Sequence, residues 1–232
     1  MVLELQGICK SFQLGETPVQ VLHDIDLRVE AGEFCVLLGP SGSGKSTLLN
    51  IIGGIDRPDS GELLLDGIPV THKKKKQLTD YRRRHLGYVF QMYNLIPNLT
   101  VRENIEVGAW LSEHPLNVEE LLHTLGLWEH RSKLPNQLSG GQQQRTSIGR
   151  AIVKRPDLLL CDEPTGALDY QTSKEILALI ETVNRRYGNS VLMVTHNDAI
   201  RQMADRVVRL RDGRIWDNQR NEHRIPAEEL EW

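Results

Sequence analysis

Apolar and polar residues alternate along the N-terminal part of the chain. Val2 to Ile8 reads as one strand and Val19 to Val29 as a second, with Ile25, Leu27 and Val29 sharing a face. Gly15, Thr17 and Pro18 punctuate the gap between them. Phe34 to Leu38 is apolar throughout and predicts a buried strand. A Gly/Ser loop leads from it into a helix over about Lys45 to Gly53. Glu62 to Leu65 predicts a strand turning at Asp66-Gly67, and Leu86 to Phe90 predicts another. From about Thr100 to Leu134 the pattern is helical. Thr100 and Glu103 form a capping box, and Val118, Leu121, Leu122 and Leu125 make an amphipathic stripe. Ser139 to Val153 reads as a helix, Leu158 to Cys161 as a buried strand, Ser173 to Tyr187 as a helix and Ser190 to Thr195 as a strand. Val207 to Leu210 and Arg214 to Asp217 pair through Asp212-Gly213 as a hairpin.

Strands and helices alternate at both ends of the chain, with a helical block between. That is the pattern of an α/β fold with a mainly parallel sheet and an inserted helical subdomain. The expectation is one domain over 1–232: residues 1–90 and 155–217 form the core, about 91–154 the helical part, and 218–232 a polar, loosely held tail.

Composition narrows the function classes. A chain of 232 residues with 39% hydrophobic and 25% charged residues can bury a core without disulfide staples. A net charge of −3 provides no global field toward nucleic acid, so no nucleic-acid partner is expected. Cys9, Cys35 and Cys161 are odd in number, lie apart and lack C-x-x-C spacing. They read as buried strand thiols of a reducing compartment rather than as a redox or zinc site. Met1 to Gln6 carries Glu4 and no basic region, so no leader is expected. Runs such as Phe34 to Leu38 and Leu158 to Cys161 are too short to cross a bilayer, so at a membrane another chain would do the spanning.

The chemistry begins at Gly39-Pro40-Ser41-Gly42-Ser43-Gly44-Lys45-Ser46-Thr47, which fits G-x-x-x-x-G-K-[ST] between a buried strand and a helix. Glycines let the backbone curl so that successive N–H groups point at phosphate oxygens, and the helix start adds partial positive charge. Lys45 would reach the β- and γ-phosphates and the Ser46 hydroxyl would bind Mg²⁺. A Gly-rich turn with a stray lysine is the alternative, and the flanking strand and helix argue against it. Asp162 and Glu163 end a buried strand: Asp162 suits a metal shell, and Glu163 suits water activation at the γ-phosphate. His196 ends the next apolar strand, where a γ-phosphate sensor would sit, and Gln91 ends Leu86 to Phe90, where its amide would reach metal or water. Leu138-Ser139-Gly140-Gly141-Gln142 places a serine and two glycines at a helix start, a second anion nest. Two phosphate-binding helix ends with one lysine suggest a head-to-tail dimer, each ligand gripped by Lys45 of one protomer and Ser139 of the other.

Taken together these motifs resemble an ABC-transporter ATPase over essentially the whole chain. The resemblance makes Gly39 to Thr47 the Walker A loop, Gln91 the Q-loop glutamine and Leu138 to Gln142 the signature. It makes Leu158 to Asp162 the Walker B strand, Glu163 the catalytic glutamate, Ala167-Leu168-Asp169 the D-loop and His196 the switch histidine. Phe12 stands where the family stacks an aromatic on adenine, usually tyrosine. The implied fold is a P-loop NTPase (RecA-like) core with a mainly parallel sheet, an N-terminal antiparallel β subdomain and an inserted α-helical signature subdomain. The implied ligands are ATP and Mg²⁺. Glu163, His196 and Gln91 would be catalytic and Ser46, Gln91 and Asp162 would hold the metal. Phe12, Gly39, Pro40, Ser41, Gly42, Ser43, Gly44, Lys45, Ser46, Thr47, Ser139, Gly140, Gly141, Gln142 and Asp169 would bind nucleotide. The implied assembly is a homodimer with two composite ATP sites on integral-membrane permease subunits, at the cytoplasmic face of the inner membrane. A membrane-fusion or periplasmic adaptor would be reached through the permease.

Asn50 to Pro58, Asn94 to Pro97 with Asn98-Leu99-Thr100, and Glu163-Pro164-Thr165-Gly166 resemble the branch of lipoprotein-release, macrolide-export and antimicrobial-peptide-resistance ATPases (LolD-, MacB- and BceA-like). Export is therefore expected over import. A DNA-maintenance ATPase would want a coiled-coil insertion or paired cysteines, and a translation factor two nucleotide domains; this chain has neither. Gly149 replaces the family's usual alanine and is expected to loosen its helix by about 1 kcal/mol. The basic stretch His72 to Lys76 with Arg82 to His85 reads as a solvated surface rather than a lipid- or permease-facing patch.

Overall fold

The computed structural model describes residues 2–15 and 17–231; Met1, Glu16 and the last residue of the expected tail, Trp232, lie outside them. Strands β1 (Leu3–Leu14) and β2 (Thr17–Val29) form a long antiparallel hairpin, from which the chain enters β3 (Phe34–Leu38) and helix α1 (Lys45–Ile52). β4 (Ser60–Leu65) and β5 (Ile68–Pro69) complete an antiparallel sheet of order β2-β1-β4-β5. Then come α2 (Lys75–His85), β6 (Leu86–Val89), α3 (Val101–Ala109), α4 (Val118–Thr124), α5 (Gly140–Ile152) and β7 (Leu158–Asp162). The chain closes with α6 (Tyr170–Tyr187), β8 (Ser190–Thr195), β9 (Arg206–Arg211) and β10 (Arg214–Arg220). The second sheet has the order β10-β9-β3-β8-β7-β6 and is parallel apart from the β9–β10 hairpin. The architecture is α/β, as the alternation predicts.

Period-two alternation assigns the two faces of the parallel sheet. Phe34, Val36, Leu159, Cys161, Val191 and Met193 face one core with Val101, Ile105, Leu121, Ile148 and Ile176 of the helices. Cys35, Leu37, Leu158, Leu160, Leu192 and Val194 face a second core, shared with α1 and the antiparallel sheet. A sheet covered on both faces needs continuous apolar strands, which is why Phe34 to Leu38 and Leu158 to Cys161 carry no polar side chain. Burial pushes the thiols of Cys35 and Cys161 up, away from thiolate chemistry. Cys9 is only half-buried, and its Sγ accepts a hydrogen bond from the Asp24 amide at 3.3 Å.

Several elements differ from expectation for local physical reasons. β1 runs on past Ile8 to Leu14, through register shifts that begin beside Gly7, whose φ is +59°. α2 was not expected: its first turn is lysine and glutamine, and it buries only Leu78 and Tyr81, too few apolar positions for a legible stripe. Arg82 of this basic helix donates to the Gly54 carbonyl at 2.7 Å, while Lys74, Lys75, Lys76 and Arg84 are exposed. The helical stretch expected from Thr100 is broken. The Thr100 capping box starts α3, and Asn117, accepting from the Glu119 and Glu120 amides, starts α4 afresh after Pro115. α6 begins at Tyr170 rather than Ser173 because Asp169 caps it, accepting from the Thr172 amide at 3.0 Å. Gly149 has a packing reason: a Cβ there would lie 2.6 Å from Leu125 Cδ1. The tail is not loose. β10 continues to Arg220, and Ala227 and Leu230 are fully buried in the helical core, so apolar residues that the polar composition obscured anchor it.

Candidate active site

The loop after β3 is shaped by its glycines. Gly42 and Gly44 stand at φ +80° and +100°, a region that L side chains rarely adopt. A Cβ on Gly39 would collide with the Leu210 carbonyl and the Ser43 hydroxyl. Gly44 caps α1 without a side-chain acceptor, and the first turn carries no acid, so the helix start is open to an anion. The loop closes around Lys45, whose Nζ donates to the Gly39 and Pro40 carbonyls at 2.7 and 2.9 Å. Burial lowers the lysine's pKa, and the charges of Glu163 and Asp162 oppose that shift. Ser43 Oγ is buried without a partner, an orphan polar atom within a loop shaped for oxygens.

The carboxylates arrive from β7. Ser46 Oγ donates to Asp162 Oδ1 at 3.3 Å. Burial raises the Asp162 pKa and the neighbouring Glu163 charge adds to it, while the Ser46 hydrogen bond and Lys45 pull it back. Glu163 turns away at φ +47°, held there by its amide donating to the Val194 carbonyl at 3.0 Å. That turn sets Glu163 Oε1 3.0 Å from His196 Nδ1, a pairing that β7–β8 register makes and sequence spacing does not show. Phe12, Val21, Ser41, Gly42, Gly44, Lys45, Ser46, Thr47, Gln91, Glu163 and His196 line one open cleft of about 670 Å³. Phe12 stands at its rim, 41% exposed, with Lys10 Nζ 5.2 Å from the ring centroid. Ser46, Gln91 and Asp162 offer hydroxyl, amide and carboxylate oxygens, a hard donor set that suits Mg²⁺. Among the described residues no cluster of three His, Cys, Asp or Glu side chains is placed to hold a metal.

The other half of the expected site is not in this cleft. Ser139 caps α5: its Oγ accepts from the Gln142 amide at 3.3 Å, and Gln142 Nε2 meets His130 Nε2 at 3.0 Å. Asp169 spends both oxygens on Thr172, which holds its carboxyl below the usual range. These two helix starts are neighbours. A Cβ on Gly141 would lie 2.5 Å from Thr172 Cγ2, and one on Gly140 3.1 Å from Leu168. The Ser139 helix start thus stands beside the Asp169 helix start, and neither residue lines the cleft that Lys45 and Glu163 share.

Three further residues bear on the site, and the first two escaped the sequence reading. Arg150 donates to the Asn94 and Tyr93 carbonyls at 2.6 and 3.0 Å, tying the positive-φ segment after Gln91 to α5. Gln144, fully buried, donates to the Pro164 carbonyl at 2.8 Å, tying the Glu163 turn to the same helix. Gly166 leaves room for Gln91, whose Nε2 would be 2.8 Å from a Cβ there. The first two are polar residues inside a helix whose partners are remote in sequence, so no local pattern marks them.

The sequence profile of the family described as ABC transporter matches residues 22–166. A putative ABC transporter ATP-binding protein of Mycoplasma pneumoniae is 47% identical over all of this chain and half of its own length. An uncharacterised ABC transporter ATP-binding protein of Bacillus subtilis, YknY, is 42% identical over 92% of this chain and 95% of its own. The macrolide export ATP-binding/permease protein MacB of Brucella melitensis is 44% identical over 92% of this chain and 34% of its own. The chain spans about half the length of the Mycoplasma relative and about a third of the Brucella one. Among solved structures, the ATP-binding cassette MJ0796, a dimer in a post-hydrolysis state bound to ADP and Pi, superposes with a TM-score of 0.86 at 37% identity. It covers 94% of this chain and 98% of its own. No helix among the described residues is long and apolar enough to cross a membrane.

Proposed function

This chain belongs to the ABC transporter family, and on that premise we propose that it is the ATP-hydrolysing subunit of an export system, working as a head-to-tail homodimer. The observation that carries the reading is the cleft. An uncapped helix start and Lys45 face Glu163, His196 and Gln91 across one open volume. Lys45 exchanges two neutral carbonyls for the charged oxygens of the β- and γ-phosphates. Phe12 presents its face to adenine. Ser46, Asp162 and Gln91 would hold Mg²⁺, which when bound would supply charge neutralisation on the phosphates. Glu163 takes the proton of the attacking water. His196, in contact with that carboxylate, holds its orientation and reads the γ-phosphate.

Ser139 to Gln142 and Asp169 lie outside the cleft of their own chain and complete the site of a partner copy. The cassette that this chain resembles is a dimer, which supports the pairing of two copies. Relatives named for macrolide export carry ATP-binding and permease parts in one protein, which supports a membrane permease as the partner here. The subunit would sit peripherally at the cytoplasmic face of the inner membrane, with a membrane-fusion or periplasmic adaptor reached through the permease. The test is copurification from membranes, with Mg²⁺-dependent phosphate release measured on the purified complex. Recovery of an export-type permease and ATP-dependent release support the reading. A chain that releases no phosphate from MgATP, in complex or alone, overturns it.

A further inference from the structure

The segment after β10 joins two parts of the site that the sequence separates. Asn221 Nδ2 donates to the Arg201 and Ala204 carbonyls, both at 2.7 Å, and its amide donates to Asp205. The Ile225 amide donates to the Gln202 carbonyl at 3.0 Å. Arg224 grips both oxygens of Asp205 at 2.8 and 2.9 Å and reaches Glu181 of α6 at 3.1 Å. Glu181, 6% exposed, accepts in turn from the Ala227 amide at 3.2 Å. Leu230, fully buried, receives the Tyr170 hydroxyl on its carbonyl at 3.3 Å. Every one of these partners lies on the 3₁₀ turn Asp198–Met203, on the two residues after it, or on α6. The turn begins two residues after His196, capped by Asn197, and α6 leaves directly from Asp169.

We propose that residues 221–230 form a strap that positions His196 against Glu163 and fixes the Asp169 helix start, with Arg224 as its main positioning residue. This rests on the ATPase reading for its catalytic consequence. The physical reason is charge and burial: removing the guanidinium that bridges Asp205 and Glu181 takes a charged partner from the nearly buried Glu181 carboxylate, in a segment whose Ala227 and Leu230 are buried. The strap makes no hydrogen bond to the phosphate loop among the described residues, so releasing it should disturb the water-activating side of the site and spare nucleotide binding.

The experiment compares wild type, Arg224→Ala, Arg224→Lys and Asn221→Ala in full-length protein. Steady-state ATP hydrolysis is followed with hydrogen exchange over residues 197–205. Because a misplacement of about 1 Å can cost about 10²-fold in rate, Arg224→Ala should lower kcat by about 10- to 100-fold. KM for ATP should change little, and Arg224→Lys should recover part of the loss. Asn221→Ala, which removes two hydrogen bonds and no buried charge, keeps the test open if Arg224→Ala does not fold. Exchange over residues 197–205 should rise in both alanine variants. Wild-type kcat in a variant whose 197–205 segment has opened overturns the proposal, as does a loss that appears wholly in KM. If the wild type itself hydrolyses no ATP, the ATPase reading falls. The strap is then judged on exchange alone, and unchanged protection of 197–205 in Arg224→Ala overturns it.

Discussion

Replacing Glu163 with glutamine should separate nucleotide binding from chemistry at the end of β7. The substitution keeps side-chain length and leaves an oxygen for His196, 3.0 Å away in the native pair. It removes the charge and the basicity. The side chain is 16% exposed and its backbone stands at φ +47°, a strain that glutamine inherits unchanged, so the fold should survive. Lys45 loses one of the two carboxylates that oppose its burial, and Asp162 remains. Losing a positioned general base costs about 10²–10⁴ in rate. At about 1.36 kcal/mol per decade that is about 3–5 kcal/mol of barrier. The assays are phosphate release under MgATP, nucleotide binding by equilibrium titration, and gel filtration with and without ATP. Glu163→Gln should bind ATP like wild type, release almost no phosphate and accumulate as a dimer, because the ligand that stabilises the closed pair is no longer consumed. Asp162→Asn should instead weaken Mg²⁺-dependent binding itself, since its carboxylate is joined to Ser46. Near-native turnover by folded Glu163→Gln, or equal loss of binding in both variants, would refute the assignment of the two carboxylates.

Three further outcomes follow from the same geometry. Ser139→Arg should abolish hydrolysis and keep nucleotide binding, and mixing it with Lys45→Ala should restore at best one composite site per heterodimer; full activity of Ser139→Arg alone would sink the head-to-tail dimer. Gly108→Ala should destabilise the fold by about 1–3 kcal/mol in urea denaturation, because its Cβ would meet the Arg150 carbonyl and lie 2.7 Å from Val153 Cγ1. Gly149→Ala should cost less, since the nearest atoms to its Cβ belong to the side chains of Leu125 and Ile105 rather than to backbone; the reverse ranking would refute the packing argument. Burial, with Arg83 adding, pushes the Lys154 amine down from 10.5 to about 8. Between those values the unfolded chain holds a proton that the folded chain has released, so stability gains from rising pH there. The stability of wild type relative to Lys154→Met should therefore climb by about 1–3 kcal/mol between pH 8 and 10.5. Parallel urea midpoints for the two proteins across that range would contradict it.

The sequence by itself determined the parts whose geometry is local. Gly39 to Thr47 must curl because its glycines permit positive φ, and the helix behind it must open there because no cap competes. The apolar runs Phe34 to Leu38 and Leu158 to Cys161 announce a sheet covered on both faces, and Asp162 and Glu163 stand at the end of one of its strands. The capping boxes at Thr100 and Ser139 likewise follow from residues three apart. Where apolar periodicity was thin, the reading failed. The lysine-led helix α2 buries only two side chains, and the tail hides two buried residues among polar ones.

Only the tertiary structure decided which distant groups meet. His196 reaches Glu163 across 33 residues because β7 and β8 are hydrogen-bonded neighbours, not because either residue marks the other. Arg150 and Gln144 bind the Gln91 and Glu163 segments to one helix, and Arg224 binds Asp205 to Glu181, through partners that no spacing rule connects. The placement of Ser139 beside Asp169, outside the cleft that Lys45 lines, belongs to this class as well. Backbone preference and periodicity act over a few residues and can be read along the chain. Polar pairing inside a fold depends on which strands become neighbours, and that is settled by burying both faces of the sheet at once.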